Sequence, residues 1–125
     1  MGRVIHFEIH AEDVDRAERF YTEVFGWGVQ RYGGPMDYRL LSTGPDEQIG
    51  INGALLKRQG PAPSAGQPVS SYVCVIQVDS IEETERAVPS AGGAQVLERM
   101  EVPEVGQLAY FTDTEGNVFG ALQAV

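Results

Sequence analysis

The chain has a single cysteine, Cys74, so no internal disulfide can staple the fold. Cys74 sits in the apolar run VCVI with no basic neighbour, and we expect core packing there rather than a reactive thiol. Basic charge is also scarce: 9 Lys and Arg face 18 Asp and Glu, a formal net charge of −9. Phosphate backbones are bound by clustered Lys and Arg, so nucleic acid is excluded as a partner. No apolar run approaches the ~20 residues of a membrane span, and the first residues lack the apolar core of a secretory signal. The expectation is a cytoplasmic protein with no membrane partner. No nucleophile–base pair stands out either. The serines gather in linkers, and both histidines, His6 and His10, fall on one segment. The Gly-rich GINGAL stretch has neither the spacing nor the Lys-Ser/Thr ending of a phosphate loop.

What is present is ordinary globular material: 125 residues, 42% hydrophobic and 22% charged, enough for one sizeable core. RVIHFEIH alternates, setting Ile5, Phe7 and Ile9 on one face of a strand and His6, Glu8 and His10 on the other. Asp13 then caps a helix whose Val14, Ala17, Phe20, Tyr21 and Val24 recur at helical spacing, and Gly26 ends it. Phe20, Tyr21, Phe25 and Trp27 read as core. Strands follow near Trp27–Tyr32, Tyr38–Ser42 and Ile49–Leu56, divided by Gly33-Gly34-Pro35 and Gly44-Pro45-Asp46. Gly50 and Gly53 suggest close backbone approach or a bulge in the last of them. Gln59 to Pro68 carries three prolines and two glycines and reads as a loop.

The order then restarts. Ser71–Val78 reads as a strand, Ser80 as an N-cap and Ile81–Val88 as a helix that Pro89 should end. Strands are expected near Gln95–Met100, Leu108–Thr112 and Val118–Gln123. At an offset of 67 (81 − 14) Val14 falls on Ile81, Glu18-Arg19 on Glu85-Arg86, Gly26 on Gly93 and Val29 on Val96. The agreement of element order, apolar positions and the glycine after the helix marks an internal repeat.

Two stretches, VIHFEIHAEDVDRAERFYTEVFGW and AYFTDTEGNVFGALQ, carry a family pattern. The first has the strand His, the capping Asp and the Phe-Tyr before a Gly-terminated helix. The second has Asp-x-x-Gly-Asn as the turn of a final hairpin. Over roughly residues 3 to 123 the chain resembles the vicinal oxygen chelate superfamily, which holds glyoxalase I, extradiol dioxygenases and the bleomycin and fosfomycin resistance proteins. The resemblance implies an α+β fold of two βαβββ modules whose curved mixed sheets enclose a cleft. It implies one domain over 1–125, with module one at 3–57, a linker at 58–69 and module two at 70–124. It also implies a homodimer. The motifs specify the fold better than the activity, since many functions share this scaffold.

Metal-dependent members hold one divalent ion on about four His and Glu side chains, and the ion acts as a Lewis acid on a chelated anion. By the resemblance His6 stands where the first-strand ligand stands. Its repeat counterpart is Val73, the last-strand ligand position is Gly120, and the remaining one falls near Gly50 to Asn52. Three of the four positions are therefore lost or degraded, and the expected cofactor is none, with His6 the residue for a metal if one binds. His6, Glu8 and His10 at i, i+2 and i+4 offer a different cluster, their neighbours ~6–7 Å apart.

The candidate ligand-binding residues are His6, Glu8, Tyr38, Asn52, Tyr72 and Tyr110, with no catalytic residue assigned. Glu8, beside His6, could meet a cationic group, act as a base, or pair with an arginine such as Arg39. The tyrosines offer rings to line walls and hydroxyls to orient a ligand. The expected partner is a small molecule, cationic or aromatic, held by a metal-independent binding protein of the resistance or sequestering kind. The alternative is a lyase, isomerase or dioxygenase-like enzyme using a rebuilt metal or acid–base site around His6 and Glu8.

Overall fold

The structure, a computed structural model, describes residues 2–62, 71–114 and 117–125. Its elements run β1 (Arg3–Ala11), α1 (Val14–Phe25), β2 (Gly28–Gly33), β3 (Tyr38–Ser42), β4 (Gly53–Lys57), β5 (Val73–Gln77), α2 (Ile81–Ser90), β6 (Ala94–Val102), β7 (Gly106–Thr112) and β8 (Val118–Ala124). Each half is thus strand, helix and three strands, the α+β repeat read from the sequence. The chain forms two compact units: His6–Tyr72 is one, and Val73–Val125 with the residues up to Ile5 is the other. Part of the expected 59–68 loop lies outside the described residues. Among the described residues no helix is long and apolar enough to cross a membrane.

In the His6–Tyr72 unit the strands lie in the order β2-β3-β4-β1. β1 runs parallel to β4, with Phe7 opposite Gly53, and the other pairs are antiparallel. The helix begins where Asp13 accepts the Arg16 N–H at 3.0 Å, and it stops at Gly26, whose φ of 71° suits glycine. Phe7, Ile9, Val14, Leu41 and Leu55 form the core on the α1 side, with Ala17, Tyr21, Trp27 and Val29 packed against it. Gly53 is required by that packing, because a Cβ there would sit 2.5 Å from the Phe7 ring. β4 begins at Gly53 rather than Ile49. Thr43 explains the shortening: its N–H donates to Asn52 Oδ1 at 2.9 Å and its hydroxyl to the Ile51 carbonyl at 2.7 Å, closing a loop.

Phe20 and Phe25 depart from the core expectation, being 54% and 58% exposed. The inward stripe of the helix is Val14, Ala17 and Tyr21, and these two rings fall on its flanks. Arg39 fastens the helix instead. Its guanidinium meets Asp37 at 2.6 Å, Glu18 at 2.9 Å and Asp15 at 2.9 Å, while Arg31 joins Glu18 at 2.8 Å. Hydrogen bonds from Arg31 and then Arg39 hold the Glu18 carboxyl below its usual range against the opposing effect of burial. Arg39 does the same for Asp37.

In the second unit the order is β5-β8-β7-β6, with β5 parallel to β8. Ile81, Ala109, Phe111 and Ala121 form its core. Ser80 caps α2 by accepting the Glu83 N–H at 3.2 Å. Contrary to expectation Pro89 lies inside the helix, one residue from its end. The turn survives the missing donor because the Ala91 N–H reaches the Ala87 carbonyl at 3.0 Å. Cys74 is exposed rather than buried, since α2 packs over β6, β7 and β8 and leaves that part of β5 uncovered.

Replacing Arg39 by Met should lower stability by about 1–3 kcal/mol at neutral pH, less than for a fully dry pair because its partners reach solvent. Glu18 and Asp37 have folded pKa values below their unfolded ones, so this stabilisation is present above the carboxylate range and fades as pH falls through the folded values. Urea denaturation of both proteins from pH 7 down to about pH 3 should therefore show the gap closing in acid. A gap that stays constant contradicts the assignment.

Candidate functional site

Sheet register decides what shares the face of the first unit opposite α1. Gln30 pairs with Leu40, Leu40 with Ala54, and Ala54 with Glu8. One step along, Gly28 pairs with Ser42, and the same registers carry on to Asn52 and His6. Alternation then puts Tyr38, two residues before Leu40, on this face and sends Arg39 to the other. Between these side chains lies a recess of about 450 Å³, lined by His6, Gly28, Val29, Gln30, Leu40, Leu41, Ser42, Asn52 and Gly53. Gly28, with no side chain on this face, leaves room there.

Beside the recess runs a short polar chain. His6 Nε2 lies 3.1 Å from the Tyr38 hydroxyl, and that hydroxyl donates to Glu8 Oε2 at 2.9 Å. A phenol has one proton, so with Tyr38 donating to Glu8 the His6 nitrogen is the donor toward Tyr38. His10 Nε2 stands 3.8 Å from Glu8 Oε1, so His10 flanks the carboxylate instead of facing solvent as a strand-end residue would. Burial lowers the His6 pKa below its ordinary value, outweighing the Glu8 charge and the neighbouring Asn52 main chain, which both raise it. The Tyr38 phenol is pushed far up by burial first, then by the charge and hydrogen bond of Glu8.

Glu8 is 0% exposed. It is not salt-bridged to Arg39, which lies across the sheet with Asp15, Glu18 and Asp37. Asn52 lines the recess, while its Oδ1 accepts from the Thr43 N–H. Tyr72 is elsewhere: its ring stacks on Phe7 at 5.4 Å and its hydroxyl donates to Tyr21 at 3.0 Å, on the α1 side. Burial and Tyr72 raise the Tyr21 phenol to about 12. Tyr110 is buried in the second unit, on β7 beside Gly120. The sequence reading missed Gln30 and Ser42. Extending the β3 alternation from Tyr38 through Leu40 would have reached Ser42, but Gln30 needed the β2–β3 register.

Two of the positions that the resemblance gives to a divalent ion carry no donor side chain. Val73 offers no donor. A side chain at Gly120 would start 3.2 Å from Val75 and 3.5 Å from both Leu108 and Tyr110. His6 Nε2 and Glu8 Oε2 are both engaged by Tyr38. Among the described residues no three His, Cys, Asp or Glu side chains converge as a metal site.

Residues 3–44 match the family model for the bleomycin resistance protein-like N-terminal region. A glyoxylase-like domain-containing protein of Didymella fabae is 32% identical over 120 residues, spanning 93% of this chain and 89% of that one. The chain belongs to the vicinal oxygen chelate superfamily, in its glyoxalase-like family. This glyoxalase-like protein is also 26% identical to CFP32 of Mycobacterium bovis, named as a glyoxylase, and spans 44% of that protein's length. Among solved structures, methylmalonyl-CoA epimerase in complex with methylmalonyl-CoA superposes with a TM-score of 0.71 at 14% identity, covering 100% of this chain and 96% of that one. The epimerase of Mycobacterium tuberculosis gives 0.67 at 14%, covering 98% and 87%. At such identity these two establish the fold of the glyoxalase-like protein and no more.

Removing the Tyr38 hydroxyl in Tyr38→Phe should cost about 1–3 kcal/mol, because Glu8 Oε2 and His6 Nε2 lose a shared partner away from water. Urea denaturation reads this directly. An unchanged midpoint contradicts the bridge. In the wild-type protein the His6 ring should titrate below the ordinary histidine value by proton NMR. The unfolded state then binds the proton first, so His6 contributes stability that falls as pH drops through that range.

Proposed function

We propose that this chain is a small-molecule-binding member of the glyoxalase/bleomycin-resistance-like group, with its ligand in the recess of the His6–Tyr72 unit and no divalent ion. The observation that carries the reading is a recess of about 450 Å³ with a fixed His6 in its wall. That size lies in the range of ordinary ligand pockets, roughly 300–1,000 Å³. Leu40 gives it apolar surface, and His6, Gln30, Ser42 and Asn52 give it a few directional groups. Val73, Gly120 and Asn52 at the family's ion positions support a metal-free mode. The cationic ligand expected from Glu8 loses its support, because the carboxylate is fully covered and held by Tyr38. The resemblance also suggests that two copies of the chain pair.

One observation favours a second reading, a metal-free lyase or isomerase. His6, Tyr38 and Glu8 form a continuous hydrogen-bonded path from the recess wall to a buried carboxylate. Such a path can pass a proton: His6 exchanges it at the recess, Tyr38 relays it and Glu8 receives it.

A thermal-shift screen of small molecules against wild type and Ser42→Phe, whose ring fills the recess, tests the binding reading. A ligand at a hundredfold its Kd adds about 2.7 kcal/mol to the folded state. The expected result is a set of compounds that raise the Tm of wild type and leave Ser42→Phe unmoved. Hits that stabilise both proteins equally, or a screen with no hits, count against the recess. Turnover of a hit that is lost in Tyr38→Phe favours the enzyme reading.

A further inference from the structure

The polar groups around the recess differ in what they are free to do. His6 is held by Tyr38, and the Asn52 carboxamide oxygen is held by the Thr43 N–H. Gln30 and Ser42 make no side-chain hydrogen bond among the described residues. They stand on β2 and β3 at neighbouring rungs, Gln30 opposite Leu40 and Ser42 opposite Gly28. Both reach solvent. Their polar ends therefore carry water that a ligand can displace, and displacement is favourable only when the ligand replaces those hydrogen bonds.

Charge narrows the class further. Among the described residues no Asp, Glu, Lys or Arg lines the recess. A charged ligand group entering it would give up hydration with no opposite charge to meet, a cost that grows as the group is covered. A carboxamide side chain such as Gln30 presents a carbonyl acceptor beside an N–H donor, the complement of a second amide in a two-point contact. A serine hydroxyl can donate or accept and so can serve either edge. Leu40 offers the apolar surface that a ring attached to such a group would cover.

We infer that the recess takes an uncharged molecule bearing a carbonyl beside an N–H, as in an amide, lactam or imide, and that Gln30 and Ser42 read this group while Leu40 covers the attached ring. The inference rests on the recess being the binding site, as proposed above. It assigns specificity to two residues outside the His6–Tyr38–Glu8 chain.

Benzamide, benzoate and benzamidine share one shape and differ in charge, so they separate the possibilities. Each is titrated into the ¹⁵N-labelled full chain and followed by its amide signals. Benzamide should shift the Gln30 side-chain and Ser42 backbone signals saturably. Gln30→Met should weaken it about fivefold, as the loss of one net hydrogen bond does, and Ser42→Ala should weaken it in the same direction. Dispersed spectra of both variants establish that they fold. Benzamidine or benzoate binding at the recess as tightly as benzamide overturns the ligand class and leaves the recess as the site. Benzamide binding unchanged in both variants overturns the roles of Gln30 and Ser42. If none of the three moves a recess signal, the site and the inference fall together.

Discussion

A carboxylate withdrawn from water must be met by donors, and the way Glu8 is met organises one face of the first unit. Its Oε2 accepts from Tyr38, whose hydroxyl in turn receives His6. That sequence of contacts places three side chains from two strands in fixed relation. It turns His6 into part of a wall and removes Glu8 from direct contact with anything in the recess. His6, which by resemblance stands at the superfamily's β1 ligand position, has a protein partner here in the Tyr38 hydroxyl.

The opposite face of the same sheet follows another rule. There Phe7, Leu41 and Leu55 pack under α1, and Arg39 gathers Asp15, Glu18 and Asp37 along the edge. Adjacent residues of β3 therefore do unrelated work. Tyr38 serves the recess side, and Arg39 ties the helix to the sheet. The two-residue period of a strand makes this division possible and makes a one-residue slip in register costly.

The same period made much of the fold legible. The alternation in RVIHFEIH separates Phe7 and Ile9 from His6 and Glu8, and the structure keeps that separation. Asp13, Gly26 and Ser80 mark helix ends by chemistry that is local and so visible in one sequence. The failures were failures of tertiary context. Phe20 and Phe25 look like core by composition, yet their rings flank the helix stripe that faces inward. Cys74 looks buried by its neighbours and is exposed because α2 covers other strands. Within the candidate site, His6, Glu8 and Tyr38 were readable from parity on two strands. Tyr72 was not, since it lies beyond the last strand of its unit and folds onto Phe7. Gln30 required a register between strands that no single stretch encodes.

The central claim is that the first unit binds its ligand with its own hydrogen-bonding groups and no divalent ion. Elemental analysis of untagged protein tests it most directly, before and after exposure to zinc, nickel, manganese and iron followed by desalting. The account predicts no ion above background in either state, with His6→Ala indistinguishable from wild type. About one ion per chain, lost on His6→Ala, would contradict it and return His6 to the role of a metal ligand.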